Sequence, residues 1–273
     1  MKLTEHQKQF FNTFGYLCVR QVFAADEVAW ICSEFEQTIQ EFGQGRNHDG
    51  TKRTMFGGPI EHRPKMCGLL DDPRVVGLIG GVLGDDFNYA GGDGNYYSGD
   101  TGWHPDGNWG QLFAAKLAFY LDPLTRETGA LRVIPGSQRP QHPIRTGEQN
   151  LAKSQELYGV APRDYPGVEA LETTPGDLVI FNHDTWHSAF GGGKRRRMFT
   201  MNVTRRAKTP EDIKTLRDYL GVHSAGGYKI DTGAGMYFPT MLETADARRH
   251  AHLEQCAQIH DELFPQYSRN ALR

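Results

Sequence analysis

The stretch Thr174-Pro175-Gly176-Asp177-Leu178-Val179-Ile180-Phe181 decides the fold class. Pro-Gly-Asp punctuates a turn. The apolar run behind it is too short for a helix, which is the pattern of a strand buried on both faces. Four other segments share this β-rich texture, at 87–97, 114–121, 130–134 and 198–203. Further turn signals separate them, Glu127-Thr128-Gly129 and Pro135-Gly136 among them, with no helical pattern between. Short strands in succession predict a barrel, sandwich or jelly roll rather than a parallel βαβ sheet.

Helical patterns flank this core. Thr4 with Gln7 makes a capping box, opening a helix that Gly15 should close, and Tyr16-Leu17-Cys18-Val19 follows as a short strand. Val28, Ile31, Phe35, Ile39 and Phe42 recur at three- and four-residue steps and predict an amphipathic helix. Asp72-Pro73 caps another, reaching about Leu83, whereas residues 43–70 are polar and glycine-rich without a readable period. Beyond Arg206, Thr209-Pro210-Glu211-Asp212 starts a helix for which Gly221 is the expected stop, and 242–264 is a second. A chain of 273 residues then reads as one domain: a helical lead-in at 1–87, a β core at 88–205 and a helical tail at 206–273.

Thirty Lys and Arg against 33 Asp and Glu leave a net charge of −3, which argues against a generic nucleic-acid binder. No apolar run approaches the roughly 18 residues of a membrane span. Four widely spaced cysteines (Cys18, Cys32, Cys67, Cys256) read as buried reduced thiols, and Met1-Lys2-Leu3-Thr4-Glu5-His6 lacks a signal-peptide pattern, so a cytoplasmic protein is expected. Glycine is over-represented, at 32 residues. Seven lie between Gly91 and Gly110, three at Gly191–Gly193, and a third group between Gly221 and Gly235 reads as a flap.

Gly191-Gly192-Gly193-Lys194 is followed by Arg195, where a phosphate-binding loop needs Ser or Thr, and there is no H-E-x-x-H. His-x-Asp/Glu occurs three times. His252/Glu254 and His260/Glu262 fall in the C-terminal helical pattern, where residues two apart point to nearly opposite sides, and read as solvent-face pairs. His104/Asp106, in Gly102-Trp103-His104-Pro105-Asp106-Gly107, follows a strand-and-turn signal, so imidazole and carboxylate can share a face and one metal. The strand ending at Phe181 runs into Asn182-His183-Asp184-Thr185-Trp186-His187, and either histidine is a third ligand. Lys194-Arg195-Arg196-Arg197 leads into the apolar strand from Met198, so alternation should turn at least one arginine inward, where it needs an anionic partner. Two His, a carboxylate and an open face define the facial triad of non-haem Fe(II) oxygenases, and a neighbouring arginine suits the distal carboxylate of 2-oxoglutarate. The competing reading of the same residues is a hydrogen-bonded polar cluster inside a β core.

With these motifs in order, residues 1–205 resemble the phytanoyl-CoA dioxygenase family of Fe(II)/2-oxoglutarate oxygenases. The resemblance rests on Leu3-Thr4-Glu5-His6-Gln7 through Phe14-Gly15-Tyr16-Leu17, on Trp103–Gly107, on Thr128-Gly129-Ala130-Leu131-Arg132-Val133-Ile134-Pro135-Gly136-Ser137, and on Pro175–Phe181 with His187 six residues on. It implies a mainly β fold, a double-stranded β-helix of the jelly-roll or cupin-like kind with N-terminal helices and a helical C-terminal extension. It implies His104, Asp106 and His187 as iron ligands, with His183 a flanking residue and no catalytic residue beyond the ligands. Arg196 best matches the 2-oxoglutarate arginine, Arg197 is the runner-up, and Lys194 and Arg195 fall on the solvent side. Asn95 and Ser188 are expected co-substrate contacts, and Trp103, Trp109, Tyr97 and Lys116 pocket residues, with Tyr96 beside them; the two tryptophans read equally as core aromatics, and Lys116 competes with the reading of an edge-facing lysine. The family often has Ser two residues after the distal His, where this chain has Ala189, and the loop from His187 to the arginines is short. Retention of Asp106 favours oxygen insertion over halogenation.

The implied cofactors are Fe(II), 2-oxoglutarate and O2. The implied reaction is hydroxylation of an unactivated C–H in a small-molecule metabolite, with 2-oxoglutarate decarboxylated to succinate and CO2. Two other classes compete: a non-catalytic 2-oxoglutarate or metal-binding module, and a metal-dependent hydrolase on a cupin-like barrel. The expected partner is a small molecule rather than nucleic acid or membrane, with the tail a candidate lid or homodimer contact. Segments 43–70, 140–170 and 206–273 are the expected substrate determinants.

Overall fold

A computed structural model describes residues 1–43, 47–109 and 113–267. Gly110, the last of the first glycine group, lies outside the described residues, as does the end of the tail. Eleven strands run in chain order: β1 Tyr16–Val19, β2 Thr54–Gly57, β3 Phe87–Tyr89, β4 Asp93–Tyr97, β5 Thr101–His104, β6 Ala114–Tyr120, β7 Leu131–Val133, β8 Glu169–Leu171, β9 Leu178–Asn182, β10 His187–Ala189 and β11 Arg196–Arg205. They form two antiparallel sheets. The larger has the order β1-β9-β6-β11-β4-β2, with β3 also pairing β11, and the smaller the order β5-β10-β7-β8. This is the expected jelly-roll core with flanking helices.

Both faces of the central strands β9, β6 and β11 are covered, and the side chains divide by the two-residue period of a strand. Ala115, Leu117 and Phe119, Leu178 and Ile180, and Phe199, Met201 and Val203 enter the main core beneath the helices Ala25–Phe42 and Pro73–Leu83. Phe119 and Phe199 stack there with ring centroids 4.4 Å apart. The alternate residues Ala118 and Tyr120, Val179 and Phe181, and Met198 pack toward Leu131 and Val133 of the smaller sheet. Two-sided burial is why these strands read as continuous apolar runs rather than alternating ones.

Local signals place the lead-in as the sequence predicts. Thr4 and Gln7 close a capping box, Gly15 ends the first helix at φ +83°, and the Asp72 side chain accepts the Arg74 amide to cap Pro73–Leu83. Other boundaries differ. The segment 87–97 is two strands, and β2, β5, β8 and β10 are each only three or four residues long, too short for a period to show. Gly221 does not stop its helix, which runs Pro210–His223, and the last helix spans Ala247–Leu263 rather than 242–264. His252 and His260 are not solvent-face residues. His252 stacks on Phe87 and its Nδ1 lies 2.8 Å from the Phe87 carbonyl, while His260 is fully buried. All four cysteines are free, but only Cys67 and Cys256 are buried. Among the described residues no helix is long and apolar enough to cross a membrane.

A buried carboxyl fastens the tail to the core. Glu61 is 2% exposed, accepts the Phe238 amide at 3.1 Å and receives the Tyr89 hydroxyl at 3.0 Å. Burial pushes its pKa up to about 7 from an ordinary 4.5, against those two hydrogen bonds. Between those values the folded protein holds a proton that the unfolded chain has released, so stability falls as pH rises through that window. The loss attributable to Glu61 between pH 4.5 and 8 is on the order of 2–4 kcal/mol. Urea unfolding of wild type and Glu61→Gln at pH 5 and pH 8 checks this: the Gln variant should lose much less stability between the two, and an equal loss would exclude Glu61 as the source.

Candidate metal centre and active site

The smaller sheet sets the centre. β10 lies between β5 and β7, and its register puts His187 opposite His104. The two rings face each other with centroids 4.4 Å apart. His104 is the last residue of β5 and Asp106 lies past its end, so the pair converges through a turn rather than along one strand face. That turn is held by the His183 carbonyl, which accepts the amides of Asp106 and Gly107 at 2.8 and 3.1 Å. His104, Asp106 and His187 each offer a donor atom, and all three lie within 4.8 Å of one another.

Each imidazole is fixed in one tautomer by its own backbone. Nδ1 of His104 lies 2.8 Å from the Gly102 carbonyl and Nδ1 of His187 lies 2.9 Å from the Thr185 carbonyl. Nδ1 therefore carries the proton and donates it, leaving the Nε2 lone pairs aimed at Asp106 from 3.9 and 3.6 Å. Burial pushes the His187 pKa down to about 4, which keeps this ring neutral at physiological pH. Burial alone would raise the Asp106 carboxyl. The Lys116 ammonium outweighs it and holds Asp106 well below the usual carboxylate range. Neutral nitrogens and an ionised carboxylate form a ligand set suited to a divalent metal.

These three side chains open onto a cavity of about 200 Å³ between the sheets. Arg196, at the start of β11, lies on its wall, 4% exposed, with Nη1 donating to the Gly129 carbonyl at 2.7 Å and the guanidinium over the Tyr97 ring at 5.1 Å. No carboxylate pairs with it among the described residues, and its Nε has no partner there. Gly129 makes this packing possible. Its φ is +96°, and a Cβ would lie 2.3 Å from Arg196 Nη1 and 2.7 Å from Gly192 Cα. Ser188 lines the same wall, its hydroxyl without a partner among the described residues.

Strand alternation sorts the rest of the basic run. Arg197 turns outward, where Asp122 Oδ1 accepts its Nε at 2.9 Å and its Nη2 at 2.6 Å, and Glu36 takes Nη1 at 3.0 Å. Lys194 and Arg195 are exposed, Arg195 pairing with Glu36. Tyr97 and Lys116 line the cavity, but Trp103 and Trp109 do not. The Trp103 indole donates to Pro162 O on the far side of the smaller sheet, and the Trp109 ring packs on Phe113 and Tyr219. Asn95 also lies off the wall, receiving Arg53 Nε at 2.5 Å and donating to Asp93 Oδ2 at 2.6 Å. Tyr96 turns away from the cavity into the main core against Phe35, its hydroxyl donating to Glu36. His183 is buried behind the cavity against Tyr219 and His223.

Several wall residues carry no sequence signal. Arg53 and Met55 come from β2 and its approach, Asp93 from β4, and Tyr228 from the tail. Arg53 Nη2 pairs with Asp93 Oδ2 at 2.6 Å, and Thr200 donates to Asp93 Oδ1 at 2.7 Å. The tail also touches the metal loop directly, His223 Nε2 lying 3.1 Å from the Asp106 carbonyl.

The sequence profile of the family described as Phytanoyl-CoA dioxygenase (PhyH) matches residues 11–198. The chain belongs to this family. It is accordingly an oxidoreductase of the non-haem iron, 2-oxoglutarate-dependent dioxygenase class. The ectoine dioxygenase of Stutzerimonas stutzeri is 24% identical over 212 residues, covering 66% of this chain and 69% of that protein. Among solved structures, EctD from S. alaskensis with 2-oxoglutarate and 5-hydroxyectoine superposes with a TM-score of 0.57 at 20% identity, covering 74% of this chain and 76% of that one. HygX from Streptomyces hygroscopicus with iron bound reaches 0.60 at 17% identity, covering 77% and 89%. These two likenesses show a shared fold. The PhyH match ends at residue 198, short of the tail that brings Tyr228 to the cavity.

The two arginines should differ in their effect on stability. Arg197→Ala breaks half-buried ion pairs with Asp122 and Glu36 and should cost roughly 1–3 kcal/mol. Arg196→Met removes a buried cation without an anionic partner and should leave the protein as stable or up to about 2 kcal/mol more stable. Thermal melts of the two variants decide it, and a destabilised Arg196→Met would mean that Arg196 has a structural counter-charge.

Proposed function

We propose that His104, Asp106 and His187 hold Fe(II), and that Arg196 and Ser188 bind 2-oxoglutarate, for hydroxylation of an unactivated C–H in a small-molecule metabolite. The observation that carries this reading is the pairing of two incomplete sites in one cavity. Three metal donors converge at one place, and a buried arginine without a carboxylate faces the same space. Imidazole and carboxylate donors fit ferrous iron, and a planar guanidinium fits a terminal carboxylate. The bound iron and co-substrate supply the activation of O2, with 2-oxoglutarate converted to succinate and CO2.

The protein's own residues supply fixed geometry. The carbonyls of Gly102 and Thr185 orient the two imidazoles, and Gly129 leaves Arg196 room to reach inward. Tyr120, Leu131, Phe181 and Met198 wall the inner cavity and exclude water around the reacting atoms. Asp106 leaves no vacancy for a halide where it stands, in keeping with oxygen insertion.

The rest of the wall limits the substrate. The whole cavity, which must also take the co-substrate, is about 200 Å³, below the usual range for drug-sized ligands, and so leaves room only for a compact metabolite. Its lining carries three cations, Arg53, Lys116 and Arg196, against two carboxylates, Asp93 and Asp106. A divalent metal and a dianionic co-substrate cancel, so one positive charge remains in excess and favours a substrate with an anionic group. Because Tyr228, Arg53 and Met55 lie on the wall, we assign substrate selection to β2 and the tail, and read the tail as a fixed cover.

Succinate formation with Fe(II) and 2-oxoglutarate tests the reading. His104→Ala should abolish it, and unchanged turnover would refute the metal assignment. Gly129→Ala should stay folded and bind Fe(II) like wild type while its 2-oxoglutarate dissociation constant rises tenfold or more; an unchanged constant would count against Arg196. A panel of small carboxylic acids and their amides should show stimulation of succinate release by acids, and stimulation by amides alone would overturn the substrate class.

A further inference from the structure

Lys116 is the one charged group of the cavity whose direct ion pair, among the described residues, is with a metal donor. It sits on β6, between β9 and β11, so it has no sheet edge around which to reach solvent. Alternation sends it inward with Ala118 and Tyr120, and its side chain is 16% exposed. Nζ forms an ion pair with Asp106 Oδ2 at 2.6 Å, an oxygen that His187 Nε2 also faces at 3.6 Å, while Asp106 Oδ1 faces His104 Nε2 at 3.9 Å. The second acid in its surroundings, Asp93, is already satisfied by Arg53, Asn95 and Thr200.

A bound divalent metal would itself keep the Asp106 carboxylate ionised, so the buried ammonium is not needed for that. Desolvating a lysine is costly, and a cation this close repels the metal. What the lysine does provide is occupation of one carboxylate oxygen. We propose that Lys116 is a positioning residue that holds Asp106 Oδ2, so that Asp106 meets the metal through Oδ1 alone and a coordination position stays open for the co-substrate. Without it, the carboxylate closes on the metal through both oxygens and competes with the keto-acid chelate. This rests on the reading of the centre as an Fe(II) and 2-oxoglutarate site.

The test compares wild type, Lys116→Met and Lys116→Arg, all anaerobic. Fe(II) affinity is measured first, and 2-oxoglutarate affinity is then read from the charge-transfer absorption of the Fe(II)·2-oxoglutarate complex. Lys116→Met should bind Fe(II) at least as tightly as wild type, yet bind 2-oxoglutarate tenfold or more weakly with a shifted band. Lys116→Arg, which keeps a cation on Oδ2, should stay within threefold of wild type on both. Should the Met variant not fold, Lys116→Gln, polar but one atom too short for Oδ2, should show the same split. Wild-type affinities and band in a folded Met or Gln variant overturn the proposal, as does an equal loss of iron and co-substrate. A wild type that binds neither would overturn the parent reading and this one together.

Discussion

The constraint on which the structure depends is the two-sided burial of β9, β6 and β11. One face must fill a hydrophobic core under helices, and the other must line a cavity that carries charge. A two-residue period lets one segment do both. Phe199 and Met201 stabilise the fold from one side of β11, and Arg196, Met198 and Thr200 build the cavity from the other. A one-residue slip of β11 against β6 would exchange these sets, turning Arg196 into the apolar core and Phe199 into the site. Register is therefore common to folding and chemistry here.

Charge in that cavity is arranged by graded compensation. Arg197 is fully paired and faces outward, Asp93 is enclosed by three donors, Lys116 shares Asp106 with the histidines, and Arg196 keeps only a carbonyl. Groups that hold structure are satisfied internally, and groups that await a ligand are left short. Leaving a guanidinium short costs stability, and such a cost persists where the surroundings fix the group, as the Gly129 backbone and Tyr97 ring do.

How much of this the sequence discloses follows from the range of each signal. The capping box at Thr4, the helix cap at Asp72 and the apolar run at 178–181 are local, and all are present. His104 and Asp106 were legible because their spacing and flanking turn are local too, whereas the residues alone left His183 and His187 open and only the family resemblance pointed to His187, whose approach to His104 depends on the non-local β5–β10 pairing. The basic run 194–197 announced an inward arginine, and only the register of β11 separates Arg196 from Arg197. Trp103 and Trp109 stand next to the ligands in sequence but point elsewhere, because a turn follows His104 and β5 shows Trp103 to the opposite face. Nearness along the chain was a poor guide there. Arg53, Met55 and Tyr228 were illegible for the converse reason, since they reach the cavity from 43–70 and from the stretch between the tail helices, which have no period, through contacts with residues distant in sequence, such as Arg53 with Asp93 and Met55 with Asn95.

The division between what this chain shares with its family and what it adds follows the same line. The three metal donors and Gly129 fall inside the family match at 11–198, as does Arg196 at its edge. Tyr228 and His223 fall beyond it, on a tail fastened by Glu61 to Phe238 and by Tyr237 to Tyr89. A segment held by buried polar bonds is part of the cavity wall rather than an appendage, because detaching it would take from Glu61 Oε2 the Phe238 amide and from the Tyr89 carbonyl the Tyr237 hydroxyl. Fe(II) and 2-oxoglutarate make the same demands in any member of the class, which suits a shared core. The substrate side has no such common demand, and here it is walled by β2 and by a tail that the family pattern does not reach. On the proposed reading, substrate choice would change through these two segments while the register that supports the metal centre stays untouched.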